Sequence, residues 1–215
     1  MKALDLFCGA GGATRGLQMA GFKVHGIDIN PQPHYCGEQF TLADALKFGT
    51  YEWFRQFDLV WASPPCQRYS AGAAKWGTSK NHPDLIARTR GLLQAMRVPF
   101  VIENIPPARS KMHQPLMLCG QYFGLGVFRH RLFEASFGFD VPPHENHVGR
   151  IGDGRFITVT GHSGGSSSRD GWHNGTVADA RTAMGIDWMT WREMAESIPP
   201  AYSKYIADKF VEYET

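Results

Sequence analysis

The sequence predicts an α/β protein with a mostly parallel sheet and helices on both of its faces. Over the first two thirds of the chain, short apolar runs alternate with helical patterns. The run at 58–62 is apolar almost throughout and stops at Pro64-Pro65, as a strand buried on both faces does where it leaves a sheet. A glycine turn at 9–12 follows the first apolar run directly, which is how a strand feeds a helix in such folds.

Taken in order, residues 3–7 read as a strand and 13–20 as the helix after the turn. Residues 22–27 form a second strand ending at Asp28, and Pro31 and Pro33 break the chain before a short helical stretch. A short third strand is expected at 42–45, a short helix at 51–56 and the buried strand at 58–62. Leu85, Ile86, Leu92, Leu93 and Met96 have helical spacing across 83–96, with Asn81 as a candidate cap. Residues 100–102 are a further strand, again stopped by prolines. Later come an aromatic strand at 132–139, a loop at 141–153 and one more strand at 156–160. Residues 161–175, rich in Gly, Ser and Asn, read as a mobile loop, and helices return at 177–184, 190–197 and 201–213.

With 215 residues, 43% hydrophobic and 20% charged, the composition is that of a globular chain with one substantial core. No apolar run approaches the length of a membrane span, and the first six residues are too short and too acidic for a signal peptide, so a cytoplasmic setting is expected. Cys8, Cys36, Cys66 and Cys119 are scattered, without Cys-x-x-Cys spacing, and are expected to be reduced thiols. Net charge is only +2, yet Arg68, Lys75, Lys80, Arg88, Arg90, Arg97, Arg109 and Lys111 face only Asp84 and Glu103 in one stretch. Such a stretch is either a surface for phosphates or a solvated helix face.

Five motifs carry chemistry. In Asp5-Leu6-Phe7-Cys8-Gly9-Ala10-Gly11-Gly12, glycines after a strand allow close approach to a ligand and the helix start offers free N–H groups. The spacing is neither the dinucleotide fingerprint nor a phosphate loop. Asp28, with Ile29 and Asn30 after it, ends the second strand where a carboxylate meets ribose hydroxyls, or else it caps a turn; Asp44, with Ala45, stands similarly after the third. In Ser63-Pro64-Pro65-Cys66-Gln67 two prolines fix the turn, so the thiol is held rigidly at a strand end, as a nucleophile requires. Glu103-Asn104 emerges from the next strand, which brings a carboxyl to the same rim as Cys66. Arg129-His130-Arg131 begins the aromatic strand, where alternation places the two arginines on one face for a base carbonyl or a thiolate.

In this order the motifs resemble the cytosine-C5 DNA methyltransferase family across most of residues 2–134, and more loosely 190–210. The resemblance implies a Rossmann-like S-adenosylmethionine-dependent methyltransferase sheet with a small irregular recognition region. It divides the chain into 1–135 for catalysis and cofactor, 136–185 for a reduced target-recognition region, and 186–215 for helices packing back on the first part. It implies S-adenosylmethionine as cofactor, bound by Asp5, Phe7, Cys8, Gly9, Gly11, Gly12, Asp28, Ile29, Asp44, Ala45 and Pro64. Cys66 is then the thiolate that adds to C6 of cytosine, Glu103 the contact to N3 and the exocyclic amine, and Arg131, with Arg129, the contact to O2. Gln67, Arg68, Ser70, Asn104, Arg155 and Arg169 become substrate or DNA contacts, and residues 68–80 a closing loop over a flipped base. The partner implied is duplex DNA, bound by a monomer; the alternatives are RNA cytosine or a free deoxycytidine nucleotide, and beyond these a non-catalytic nucleic-acid-binding homologue, which intact Cys66 and Glu103 disfavour.

Two departures stand out. Family members have glutamine two residues before the first arginine, where this chain has Val127. On one alignment Glu196 takes the place of an asparagine near the cofactor, and its role is open. The recognition region, about 50 residues long, is little more than a minimal module and fits a short or relaxed target sequence. Its histidines, His144, His147, His162 and His173, are a weak zinc signal, since the segment has no cysteine, and no metal is expected.

Overall fold

The computed structural model describes residues 1–161 and 175–214. Seven strands, β1 (Lys2–Leu6), β2 (Lys23–Asp28), β3 (Gln39–Leu42), β4 (Leu59–Ala62), β5 (Phe100–Asn104), β6 (Leu116–Leu118) and β7 (Arg131–Ala135), form one sheet. Its order is β3-β2-β1-β4-β5-β7-β6. Strands β1 to β5 pair in parallel, and β7 runs antiparallel to both β5 and β6. The helices are α1 (Gly12–Met19), α2 (Tyr51–Phe54), α3 (Ala71–Lys75), α4 (Ile86–Met96), α5 (Val177–Met184), α6 (Trp191–Glu196) and α7 (Pro200–Glu214).

Successive side chains of a strand point to opposite faces, and the core divides accordingly. From β4, Leu59 and Trp61 join Leu17 of α1 and Tyr202, Ile206 and Phe210 of α7 on one face. Val60 and Ala62 join Phe54 of α2 and Ile86 and Leu93 of α4 on the other. A third cluster, containing Ala10, Val127, Val159, Met184, Trp191 and Met194, binds α5 and α6 to the turn after β1. One charged pair crosses a buried layer: Arg90 of α4 donates from Nη2 to Glu134 Oε2 of β7 at 2.7 Å. The amide of His113 donates to the same carboxylate at 2.8 Å, so neither charge lacks partners.

The helices at 177–184 and 190–197 lie where expected because each opens on a reciprocal cap, Thr176 with Asp179 and Thr190 with Glu193. Elsewhere the boundaries shift for local reasons. The third strand is 39–42 rather than 42–45, since Asp44 accepts from the Leu46 amide and ends the extended chain. The helix expected from 83 starts at Ile86, and Asn81 does not cap it: His82 before Pro83 is extended, as residues before proline are. The chain after Pro33 forms no helix. The aromatic strand stops at Ala135, because Ser136 turns its hydroxyl to the Phe100 amide and Phe137 packs on Phe210. Residues 156–160 form only a single bridge, Ile151 to Phe156; Phe156 stacks on Phe128 and the Ile157 amide bonds Gly126 instead of a ladder. Two elements, β6 and α3, are additional to those the pattern predicts.

Among the described glycines, the tightest approach is where α1 packs on the start of α7 and the segment before it. A Cβ on Gly12 would stand 1.8 Å from Ser197 Oγ and 2.5 Å from the Ile198 carbonyl oxygen, and one on Gly16 would stand 2.1 Å from the Pro200 carbonyl. The backbone carbonyls cannot step aside as a side chain can. Gly12→Ala is therefore expected to cost about 1–3 kcal/mol, the range for overpacking, read as a lowered urea midpoint with an unchanged slope.

Candidate active site

The site lies along the carboxyl ends of β1, β2, β4 and β5, where ligands bind in open parallel sheets. Register brings these ends level: Leu6 pairs with both Ile27 and Ala62, and Ala62 with Ile102. One pocket at this edge is lined by Asp5, Phe7, Cys8, Gly9, Gly12, Asp28, Ile29, Pro64, Cys66, Gln67, Glu103 and Arg131.

On its first side the backbone is bent sharply. Phe7 has φ of 59° and Gly9 of 50°, the left-handed region that a bulky residue such as phenylalanine seldom occupies. The Gly9 amide donates to Asp28 Oδ2 at 3.0 Å, and the Asn30 amide to Asp28 Oδ1 at 2.9 Å, so one carboxylate ties the two strand ends together. Asp5 is wholly buried, accepting from the Thr14 hydroxyl at 2.6 Å, and its Oδ1 has no partner. Burial pushes its carboxyl up to about 7, aided by Asp28 and Glu103 and opposed by the bonds from Thr14. Ile29 is 66% exposed at this rim, an unusual place for isoleucine.

On the second side Cys66 follows β4 through the two prolines. Asn104 holds that turn from β5: its Nδ2 donates to the Pro64 carbonyl at 2.9 Å, while its Oδ1 accepts from the Ile105 amide at 3.0 Å. Burial pushes the Cys66 thiol up, and Glu103 pushes it the same way, while Arg131 and Arg129 oppose both. Glu103 is itself raised by burial, against Arg131 and a hydrogen bond with Ser63. Its Oε1 lies 3.1 Å from Arg131 Nε. A thiol, a buried carboxyl and a guanidinium fixed against it thus face one pocket.

Comparison with known proteins identifies the family. The model of the C-5 cytosine-specific DNA methylase family matches residues 1–118. The chain belongs to that family. It is an S-adenosylmethionine-dependent cytosine-5 methyltransferase. Among curated relatives, type II methyltransferase M.AquIA of Picosynechococcus is 24% identical over 184 residues, covering 71% of each chain. Type II methylase M.HgiDII of Herpetosiphon aurantiacus is 29% identical over 118 residues, 50% of this chain and 33% of that protein. Two solved methyltransferases share the fold over nearly the whole chain: Dnmt2 of S. pombe, with a TM-score of 0.62, 16% identity and coverage of 99% and 98%, and EhMeth of Entamoeba histolytica, with 0.61, 12%, 100% and 99%.

The first side of the methylase's pocket fits its cofactor. It offers a carboxylate at the end of β2, an exposed aliphatic side chain beside it, and a Gly9 with nothing within 4 Å of where a Cβ would stand.

Several other expected residues are placed elsewhere. Arg129 does not share a face with Arg131: it precedes β7 with φ of 36°, and its guanidinium donates to the carbonyls of Val159, Met194, Ala195 and Ser197. It anchors the segment that closes the pocket. Gly11 faces Cys36 and Tyr35, not the pocket. Asp44 caps its own turn and pairs with Lys47 at 3.0 Å, while Ala45 is buried in the core, so neither lines the pocket. Asn104 is buried and holds the turn before Cys66, so its side chain is not at the surface where DNA was expected to meet it. Arg68 donates to the Ser79 carbonyl at 3.2 Å, and Ser70 caps α3. Of the basic stretch, Arg90 is withdrawn into its buried pair. Val127 is buried in the third core cluster and also lines a second cavity beside the first pocket. Arg155 is exposed, and Arg169, His162 and His173 lie outside the described residues.

Glu193, Ser197 and Ile198 line the pocket together with Glu196; the looser resemblance over 190–210 covered this segment without assigning the first three a role. They come from the far end of the chain, brought there by the close packing of α1 on the segment before α7 and by contacts such as His34 with Glu193 at 2.9 Å.

Two substitutions test the site's construction. Asn104→Ala leaves the buried Pro64 carbonyl unpaired; the expected result is a loss of about 1–3 kcal/mol and a slower methyl transfer, with cofactor affinity retained in a binding titration. Asp5 has its carboxyl raised in the folded state, so the folded protein binds the extra proton between the unfolded carboxyl's range, near 4, and about 7. Stability must then fall as pH rises through that window and level off above it. Urea midpoints from pH 5 to 8 should show this decline in the wild type and a smaller one in Asp5→Asn.

Proposed function

We propose that the protein is a DNA (cytosine-5) methyltransferase that works through a covalent Cys66 adduct. The supporting observation is the single pocket shared by Cys66, Glu103, Arg131 and the glycine turn. The type II methyltransferase relatives favour DNA as the substrate and a restriction–modification setting.

Carbon 5 of cytosine is a weak nucleophile, and addition of the Cys66 sulfur at C6 supplies the electron density it lacks. When bound, S-adenosylmethionine supplies an electrophilic methyl group on its sulfonium. Glu103, with its carboxyl raised, donates a hydrogen bond to N3 and steadies the ring as charge builds there. Arg131, fixed against Glu103, meets O2 and favours ionisation of the thiol, whose proton must leave before the sulfur adds. Once C5 carries the methyl group, its proton passes to water, the C6–S bond breaks and Cys66 leaves as the thiolate, restoring the ring.

On the cofactor side, Asp28 accepts from the ribose hydroxyls and Ile29 packs on the adenine. The turn from Phe7 through Gly12, with Asp5 and Pro64 behind it, lets the backbone come close. Glu196 presents a carboxylate to the ammonium group of the methionine part.

A second cavity, of about 740 Å³, shares Ile105 and Arg131 with the first and is walled by Phe128, His130, His147 and residues 157–160. It is the route by which a base turned out of its duplex reaches Cys66. In the first pocket Gln67, whose Oε1 is buried without a partner, meets the substrate beside Cys66, and Arg155 meets phosphate. Residues 68–80, with Trp76 77% exposed, close over the base. The protein acts as a monomer in the cytoplasm. Among the described residues no helix is long and apolar enough to cross a membrane.

Transfer of labelled methyl to duplex DNA, RNA and dCMP should favour duplex DNA, with bisulfite sequencing giving the target context. Cys66→Ser should lower transfer by orders of magnitude, as loss of a covalent nucleophile does, with cofactor affinity unchanged. Wild-type turnover in that variant would end the covalent reading, and a preference for RNA or dCMP would overturn DNA as the substrate.

A further inference from the structure

Outside this pocket, four side chains with metal-binding atoms converge on one point. They are Cys119 after β6, His130 before β7, and His144 and His147 in the loop that follows β7. Their ligand atoms all lie within 4.8 Å of one another. His130 Nε2 is 2.9 Å from His144 Nε2 and 3.2 Å from His147 Nε2, and Cys119 Sγ is 3.6 Å from His147 Nε2.

Hydrogen bonding alone explains this cluster poorly. A neutral imidazole nitrogen is either a donor with one proton or an acceptor with one lone pair. His130 Nε2 therefore satisfies one neighbouring nitrogen and not both. A cation at the centre accepts a lone pair from each. A tetrahedral zinc ion, with Zn–N near 2.0–2.1 Å and Zn–S near 2.3 Å, spaces its nitrogens about 3.3 Å apart and sulfur and nitrogen about 3.6 Å apart. The short contacts lie close to both figures.

We propose that Cys119, His130, His144 and His147 form a structural zinc site. One thiolate and three imidazoles suit zinc over magnesium or calcium, which take oxygen ligands. Four protein ligands close the coordination shell and leave no position for a substrate, which makes the site structural rather than catalytic. Binding releases the Cys119 proton and draws on the neutral form of each imidazole.

The surroundings hold the ligands in place. The His147 ring stacks on Phe128 with centroids 3.7 Å apart and planes 5° apart. Gln121 grips the loop on both sides of His147, donating to the Asn146 carbonyl at 3.3 Å and accepting from the Val148 amide at 2.7 Å. The loop needs such a fixture, since no helix or strand forms between Ala135 and Val177 among the described residues. The zinc would pin the start of the recognition region to the sheet edge. His130 stands between Arg129 and Arg131, and His147 walls the second cavity, so the ion also fixes one side of the route to Cys66. The histidine segment offered no cysteine because its thiol comes from the end of β6, a strand too short to show in the sequence pattern.

Metal analysis of tag-free protein tests the site without reference to activity. After equilibration with zinc and dialysis, the wild type and Cys66→Ser should each hold about one zinc per chain. The double variant His144→Ala/His147→Ala, made at loop positions away from the main core, should bind zinc more than about 100-fold more weakly, beyond the cost of losing an outer hydrogen-bond partner. With cobalt in place of zinc, Cys119→Ser should lose the thiolate-to-metal charge-transfer band that the wild type shows. Chelation should lower Tm in the wild type and leave the double variant unmoved. A wild type that holds far less than one zinc, or a double variant that binds as tightly as the wild type, would overturn the site, even if Cys119→Ser fails to fold.

Discussion

The bond from the Asn104 amide to the Pro64 carbonyl ties the ends of two neighbouring parallel strands at the point where both leave the sheet. Parallel pairing makes β4 and β5 end level, but it does not fix the path of the chain beyond them. The two prolines restrict the turn and the buried amide selects one path for it, so the thiol two residues on has a defined position relative to Glu103. Strand ends provide a rigid frame here, and one neutral hydrogen bond converts it into a placed functional group.

The opposite wall has a different origin. Arg129 commits its guanidinium to carbonyls of α6 and of the turn after it, and Tyr202 donates to the carbonyls of Phe128 and Arg129. These contacts lock the α6–α7 corner against the sheet and leave Glu196 and Ser197 beside the glycine turn. Of two arginines in one tripeptide, one is thus absorbed by the scaffold and the other faces the pocket. The change of direction at Arg129, with its positive φ, separates them.

Much of this was readable in advance, and the exceptions have physical causes. The strands that carry the pocket, 2–6, 23–28, 59–62 and 100–104, are apolar runs with clear stops, and their parallel pairing follows from the alternation, though their order in the sheet does not. Cys66 and Glu103 could be placed together because each sits at or just past such a stop. Alternation failed for Arg129 because it assumes a strand that had not yet begun. β6 is three residues long, too short for any period to show, and α3, Ala-Gly-Ala-Ala-Lys, has no apolar face to betray it. Residues 156–160 have a strand's composition but use it to fill the third core cluster. Asp44 and Ala45 follow a strand three residues earlier than the pattern indicated, which removed them from the rim.

The closeness of α1 and α7 also bears on the order in which the molecule can be made. Ser203 donates to the Ala13 carbonyl across 190 residues of sequence, and Trp188 to the Ala10 carbonyl across 178. During synthesis the first glycine turn leaves the ribosome long before its covering segment exists. A nascent chain therefore has no finished cofactor cleft to be stabilised by ligand, and its early strands wait with their apolar faces uncovered. Contacts of such long range slow folding and prolong exposure to aggregation, so assembly of the cleft is a late, whole-chain event.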